Sequence, residues 1–295
     1  MKIAIIGAGN IGGSVATGFV QCGVLPAENI TVTARYAASL EKYKGIGIRV
    51  TTDNRSSVKG ADMVFYAVKP WQMEDVLKET APVLDYDCQL VVCISPCITT
   101  EQLRKWLDKD GTLPSVSYVI PNTAVEIGES MTFISPVTSS EEQNALLKEL
   151  FDKVGRSQIV PVDRMLSGTS LASCGIAYAM RYISASVEGG VQLGLDRAEV
   201  GEAVCQTVRG AAALVEAKGY HPEREIDRVS TPNGLTIRGL NAMENGGFSA
   251  AVIRGLTINN APRKHRIVVK VGSNVLTRPD GELDTTRVLR SWTRS

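Results

Sequence analysis

The residues KIAIIGAGNIGG, 2–13, constrain this chain more than any other stretch. A short apolar run of strand type ends in Gly7-Ala8-Gly9-Asn10-Ile11-Gly12, a G-x-G-x-x-G, and passes into a helical pattern reaching about Cys22. Gly7 permits a tight turn, Gly9 lets a backbone approach a pyrophosphate, and Gly12 lets the helix pack closely, while the helix N-terminus favours the anion. Alone the fingerprint is weak, and a glycine-rich turn without a ligand is its alternative. Its continuation strengthens it. Strand-like runs at 29–35, 48–54, 62–68, 89–95, 115–121, 130–136 and 157–162 follow. Helices are predicted between several of them, at 71–84 after Lys69-Pro70, at 100–107 behind a Thr99…Gln102 capping box, and at 140–153 behind Ser139. This alternation predicts an α/β, Rossmann-type dinucleotide-binding domain over 1–162, with a mostly parallel sheet covered on both faces.

After Val162 the strand patterns cease, and a second, all-helical domain is expected over 163–262. Its first segment, 164–194, is apolar along its length and rich in Gly, Ala and Ser. It should be buried within the domain or against another subunit. A helix at 196–218 follows behind Asp196, then the turn Ser230-Thr231-Pro232-Asn233-Gly234, then helices near 235–245 and 248–259.

The second strand chooses between nicotinamide cofactors. A strand suited to NAD normally ends in an acid that holds the ribose hydroxyls. Here it ends Thr33-Ala34-Arg35, with no acid before Glu41. An arginine at that place suits a 2′-phosphate, so NADPH is expected, with NADH as the second choice and a solvated surface arginine as the bland reading. Val68, Lys69 and Pro70 end another strand at the carboxyl edge of the sheet, where such sheets bind ligands, although Pro70 would equally start a helix. Asn122 and Thr123 end a further strand there and offer donors with no evident helix of their own to cap.

Bulk properties narrow the partners. A formal net charge of +1 without a basic stripe argues against nucleic acid. No run approaches the ~18 apolar residues of a membrane span. Six scattered cysteines read as reduced thiols in a cytoplasmic protein. Two histidines, His221 and His265, exclude a multi-histidine metal site.

Several segments together resemble one family, pyrroline-5-carboxylate reductase, the last enzyme of proline synthesis. They are IAIIGAGNIGG, the Asn54 preceding ADMVFYAVKP, VIPNT, GIAYAM, and above all VSTPNGLTIRGLNAMENGGF at 229–248, similar to the family signature V-[ST]-S-P-G-G-x-T. The resemblance covers about residues 1–260. It implies NAD(P)H-dependent reduction of 1-pyrroline-5-carboxylate to L-proline by hydride transfer to the ring C=N, in a homodimer or higher homo-oligomer. Thr236 falls on the threonine that hydrogen-bonds the substrate nitrogen, with Thr231, Asn233, Gly234 and Leu235 around the substrate. The N–H groups of Gly234 and Leu235 stand where the family holds the carboxylate. Gly7, Gly9, Asn10, Ile11, Gly12, Asn54, Val68, Lys69, Pro70 and Asn122 match cofactor-contacting segments. The chain departs from the pattern at Thr231, Asn233, Tyr118, Ile176 and Ser95-Pro96-Cys97. Asn233 replaces the first glycine of the pair, and asparagine tolerates the left-handed conformation that would keep the turn.

Residues 263–295 resemble the opening strand and glycine loop of glutamate 5-kinase, with Lys270, Gly272 and Ser273 on its phosphate loop. So short a piece cannot bury a core and should not be an independent domain. Two other functions remain open on sequence. One is a hydroxyacid dehydrogenase of similar architecture, which would use a lysine on the long helix, whereas 164–194 contains none. The other is a dinucleotide-binding sensor without chemistry.

Overall fold

A computed structural model describes residues 1–95, 98–219 and 221–258. The strands are β1 (Ile3–Ile6), β2 (Ile30–Thr33), β3 (Arg49–Thr51), β4 (Met63–Tyr66), β5 (Leu90–Cys93), β6 (Ser115–Ile120), β7 (Ser130–Pro136) and β8 (Gly155–Ile159). Among the described residues they form one sheet in the order β3-β2-β1-β4-β5-β6-β7-β8. Only the β6–β7 pair is antiparallel. Strand order reverses between β1 and β4, which opens a crevice at their carboxyl ends.

The central strands β1, β4 and β5 are buried at every position, as their continuous apolar runs require. Alternate side chains feed two cores. Ile3, Ile5, Phe65 and Val92 meet Phe19 and Phe151 on one face. The Phe19 and Phe151 rings lie 5.4 Å apart, edge to face. Ala4, Ile6, Val64, Tyr66 and Val91 meet Met73, Leu77 and Leu103 on the other. Burial lifts the Tyr66 phenol above its ordinary range, and its hydroxyl pairs with Thr80 Oγ1 at 2.7 Å.

The helices of this region are α1 (Asn10–Gln21), α2 (Glu41–Lys44), α3 (Asn54–Val58), α4 (Pro70–Thr80), α5 (Thr100–Leu107) and α6 (Glu141–Asp152). The Thr99…Gln102 capping box opens α5 as expected. Helix α4 starts at Pro70 and gives way at Ala81 to a 3₁₀ turn that carries Pro82. The cap of α6 is Ser140, not Ser139, because Ser140 forms the capping box with Gln143. The Ser139 hydroxyl instead donates to Asn144 Oδ1 at 3.0 Å.

The chain then continues as α7 (Met165–Gly168), a π-helical turn over Thr169–Cys174, α8 (Gly175–Gln192), α9 (Arg197–Ala217), α10 (Pro222–Val229), α11 (Leu235–Asn245) and α12 (Phe248–Thr257). Asp196 caps α9 by accepting from Ala198 N–H at 2.8 Å. Helix α10 does not show in the apolar periodicity. His221 caps it through Nδ1, Pro222 sits at its first position, and its Glu225 accepts from Arg228 at 2.5 Å. The segment 164–194 is helical from Met165 to Gln192, with the π turn set into it beside the sheet edge. Helix α8 is not buried within its own chain: none of its residues is buried, and none of α11 or α12 is either. Leu193 and Leu235 are 83% and 82% exposed. No described helix is long and apolar enough to cross a membrane. The expected kinase-like tail, 263–295, lies outside the described residues.

Candidate active site at the carboxyl edge of the sheet

The turn between β1 and α1 is built for close approach. Gly7 has φ +107°, and a Cβ on it would lie 2.8 Å from the Ala67 carbonyl oxygen. A Cβ on Gly12 would collide with the Gly7 carbonyl and approach the Ala67 methyl at 2.8 Å. A Cβ on Gly9 would meet nothing within 4 Å, so the surface above it is open. The N–H groups of Gly7 and Ala8 both donate to the Thr33 carbonyl, at 3.1 and 2.8 Å, and tie the turn to the end of β2. Helix α1 has neither a side-chain cap nor an acid in its first turn, so its free N–H groups and positive dipole end face outward.

This turn floors a cavity of about 980 Å³ at the switch point between β1 and β4. Gly7, Gly9, Asn10, Ile11, Arg35, Asn54, Val68, Lys69 and Pro70 all line it. Gly12 lies behind the lining, where it seats the helix. Arg35 is exposed at one end beside Tyr36 and Ser39, and no carboxylate pairs with it among the described residues. The Asn54 amide is held at both ends: Thr33 Oγ1 donates to its Oδ1 at 2.7 Å, and its Nδ2 donates to Glu79 Oε2 at 3.0 Å. Lys69 is the N-cap position of α4 and Pro70 its first residue, so helix initiation and cavity lining share these residues. An uncapped helix N-terminus, a glycine floor and an unpaired arginine fit a dinucleotide phosphate chain ending in a 2′-phosphate.

The expectation for Asn122 needs correction. It has a helix of its own to cap: its Oδ1 accepts from Ala124 N–H at 3.0 Å and opens the 3₁₀ turn Thr123–Ile127. Its Nδ2 donates to the Ala172 carbonyl at 3.4 Å. Buried and engaged at both ends, Asn122 braces the π turn, while Pro121 and Thr123 line the cavity on either side of it. Sequence reading missed Thr169 and Ser173, which the π turn brings to the cavity wall. It also missed Asp75 and Glu79, one helical turn apart on α4. That i, i+4 spacing was the available signal for the two acids. No local signal marks the π turn.

Two other ionisable groups near the strand ends stay protonated at neutral pH. Burial pushes the Cys93 thiol up to about 12. Burial also raises the Tyr118 phenol to about 12, and its hydroxyl donates to the Ile98 carbonyl at 2.7 Å.

The turn at 231–234 is shaped as the glycine-for-asparagine exchange demands. Asn233 has φ +57°, and Gly234 N–H donates to the Thr231 carbonyl at 2.9 Å. Pro232 and Asn233 thus occupy the corners of a β-turn that needs positive φ at the second. Gly234 N–H is consumed in closing this turn, which corrects its expected role as a free donor. Leu235 and Thr236, the first two residues of α11, keep theirs, because that helix has no side-chain cap. Thr231, Asn233, Leu235 and Thr236 are exposed, and none of the turn residues lines the cavity of this chain. Replacing Asn233 with glycine should leave activity within about twofold, whereas Asn233→Val should cost about 1–2 kcal/mol of stability in thermal unfolding. Equal stability of the two variants would show that the positive φ is not enforced.

Comparisons with known proteins bear on both halves of the chain. Residues 163–264 match the family model described as pyrroline-5-carboxylate reductase dimerisation, and residues 2–96 match the one described as NADP oxidoreductase coenzyme F420-dependent. Pyrroline-5-carboxylate reductase 2 of Dictyostelium discoideum is 32% identical over 272 residues, covering 88% of this chain and 90% of that relative. This chain belongs to the pyrroline-5-carboxylate reductase family. Reductase 1 of the same organism is 33% identical over 88% of this chain, which spans only 48% of that longer relative. A solved pyrroline-5-carboxylate reductase of Coxiella burnetii superposes with a TM-score of 0.75 at 28% identity, covering 88% of this chain and 95% of that one. That of Plasmodium falciparum, solved with NADP bound, has a TM-score of 0.80 at 21% identity over 88% of this chain and 95% of its own, and shows the shared fold.

Proposed function

We infer that this chain reduces 1-pyrroline-5-carboxylate to L-proline, taking its hydride from NADPH, with NADH as the second donor. Family membership together with the glycine-floored cavity carries the reading. The bound nicotinamide supplies the hydride. The chain's own residues bind and orient. Gly7, Gly9, Asn10 and Ile11 hold the pyrophosphate at the α1 N-terminus, Gly12 seats that helix, and Arg35 takes the 2′-phosphate. Asn54, fixed by Thr33 and Glu79, borders the cavity with Val68, Lys69 and Pro70.

The second half completes the site from outside. The free N–H groups of Leu235 and Thr236 at the α11 N-terminus receive the substrate carboxylate, and the Thr236 hydroxyl hydrogen-bonds the ring nitrogen. A hydroxyl can assist an imine in accepting hydride without a charged base, which suits a chain with two histidines. Thr236 is exposed and outside the lining of its own chain's cavity, while α8, α11 and α12 leave apolar side chains uncovered. Both observations support a homodimer in which the turn of one subunit faces the cavity of the other. The division into a nucleotide domain, 1–162, and a helical dimerisation domain, 163–262, accords with the end of β8 at Ile159 and the start of the dimerisation match at 163. A cytoplasmic setting accords with the free cysteines among the described residues.

The deciding assay is NADPH oxidation that depends on added pyrroline-5-carboxylate. Tight NADPH binding without such turnover would favour a sensor. Arg35→Ala should raise the KM for NADPH about tenfold or more while sparing NADH, on the scale of one charge-assisted phosphate contact. An equal effect on both cofactors would contradict the 2′-phosphate assignment.

A further inference from the structure

Three buried hydroxyls have no hydrogen-bond partner among the described residues: those of Ser95, Ser135 and Ser230. Only Ser95 lines the cavity. It stands two residues past the end of β5, at the carboxyl edge of the sheet, and is 2% exposed. A hydroxyl withdrawn from water and left unpaired is unfavourable, and alanine would avoid the penalty at almost the same volume. Its place along the cavity gives it a use. Arg35, Tyr36 and Ser39 stand beyond the end of β2, and the glycine turn stands at β1. Ser95 stands at β5, three strand spacings from β2, or about 14 Å at ~4.8 Å each. A dinucleotide laid across the switch point, with its 2′-phosphate at Arg35 and its pyrophosphate at the turn, brings its nicotinamide to the β4–β5 end.

We propose that the Ser95 hydroxyl hydrogen-bonds the nicotinamide carboxamide and sets the rotation of that ring on the cavity floor. The proposal rests on the dinucleotide reading of the cavity given above. A carboxamide offers both donors and an acceptor, and a hydroxyl can meet either. The floor position selects the cofactor ring over the substrate. Ser95 lines the cavity at the strand end but is almost wholly withdrawn from solvent, whereas a substrate exchanged at every turnover enters from the open side. Ser95 is thus a positioning residue.

The experiment compares two ligands on the full chain by titration calorimetry: NADP⁺, and 2′-phospho-ADP-ribose, which lacks the nicotinamide ring. Ser95→Ala should weaken NADP⁺ about tenfold, on the scale of one buried hydrogen bond, and leave 2′-phospho-ADP-ribose unchanged. Ser95→Thr, which restores a hydroxyl, should recover part of the loss. Unchanged NADP⁺ affinity in Ser95→Ala, or an equal loss for both ligands, would overturn the proposal. If the unmodified chain binds neither ligand, the dinucleotide reading itself fails, an outcome distinct from a failure at Ser95.

Discussion

Replacing Thr236 with alanine should lower turnover by about 10²–10⁴-fold, the range of a lost proton-handling group, while leaving the fold and NADPH affinity intact. Both halves of that expectation have a structural basis. Thr236 is exposed as the second residue of α11, its hydroxyl has no hydrogen-bond partner among the described residues, and it belongs to neither core, so its removal leaves no cavity. Its proposed contact is with the substrate ring nitrogen and not with the glycine turn or Arg35, so NADPH affinity should not depend on it. The loss should fall on kcat, because a hydroxyl at the ring nitrogen matters most as charge develops during hydride transfer. Thr236→Ser should retain most of the rate. Near-normal turnover in Thr236→Ala would remove the residue from the mechanism.

Gly12→Ala should weaken productive cofactor binding by about 10²-fold, by a different route. The added methyl meets the Gly7 carbonyl and the Ala67 methyl, both in the tightest part of the β1–α1 junction. Neither is the far end of a flexible side chain, so the helix or the turn has to move by about 1 Å. Misplacement on that scale can cost about 10²-fold. Overpacking adds about 1–3 kcal/mol of destabilisation, read as a lower Tm. Gly9→Ala is the informative contrast. Its methyl meets no protein atom within 4 Å, so stability should hold while NADP⁺ affinity falls, because the methyl occupies the space above the turn. Wild-type affinity in Gly12→Ala would mean that α1 can slide without disturbing the cradle. An equal drop in Tm for both variants would mean that the space above Gly9 is not open.

Much of this architecture follows from local sequence. Strands β1, β4 and β5 are legible because burial on both faces demands unbroken apolar runs. The capping box of α5 and the Asp196 cap of α9 are legible because a cap is a contact between residues two or three apart. The left-handed Asn233 is legible for the same reason, since a turn with proline at its first corner restricts what the second can do. Helix α10 is short and polar, and its signal lies in His221 and Pro222 at its start and not in an apolar stripe.

By itself, then, the sequence determined the alternating sheet, the glycine turn, the arginine at the end of β2 and the proline-asparagine turn before Thr236, all of them patterns among near neighbours. Tertiary structure alone decided three things. The π turn brings Thr169 and Ser173 to the cavity, Asn122 spends its amide on a carbonyl fifty residues away, and Thr236 stays outside the cavity of its own chain. The physical reason is common to all three. A polar group's partner is set by which elements pack together, and periodicity records only that an element has a buried face, not what lies against it.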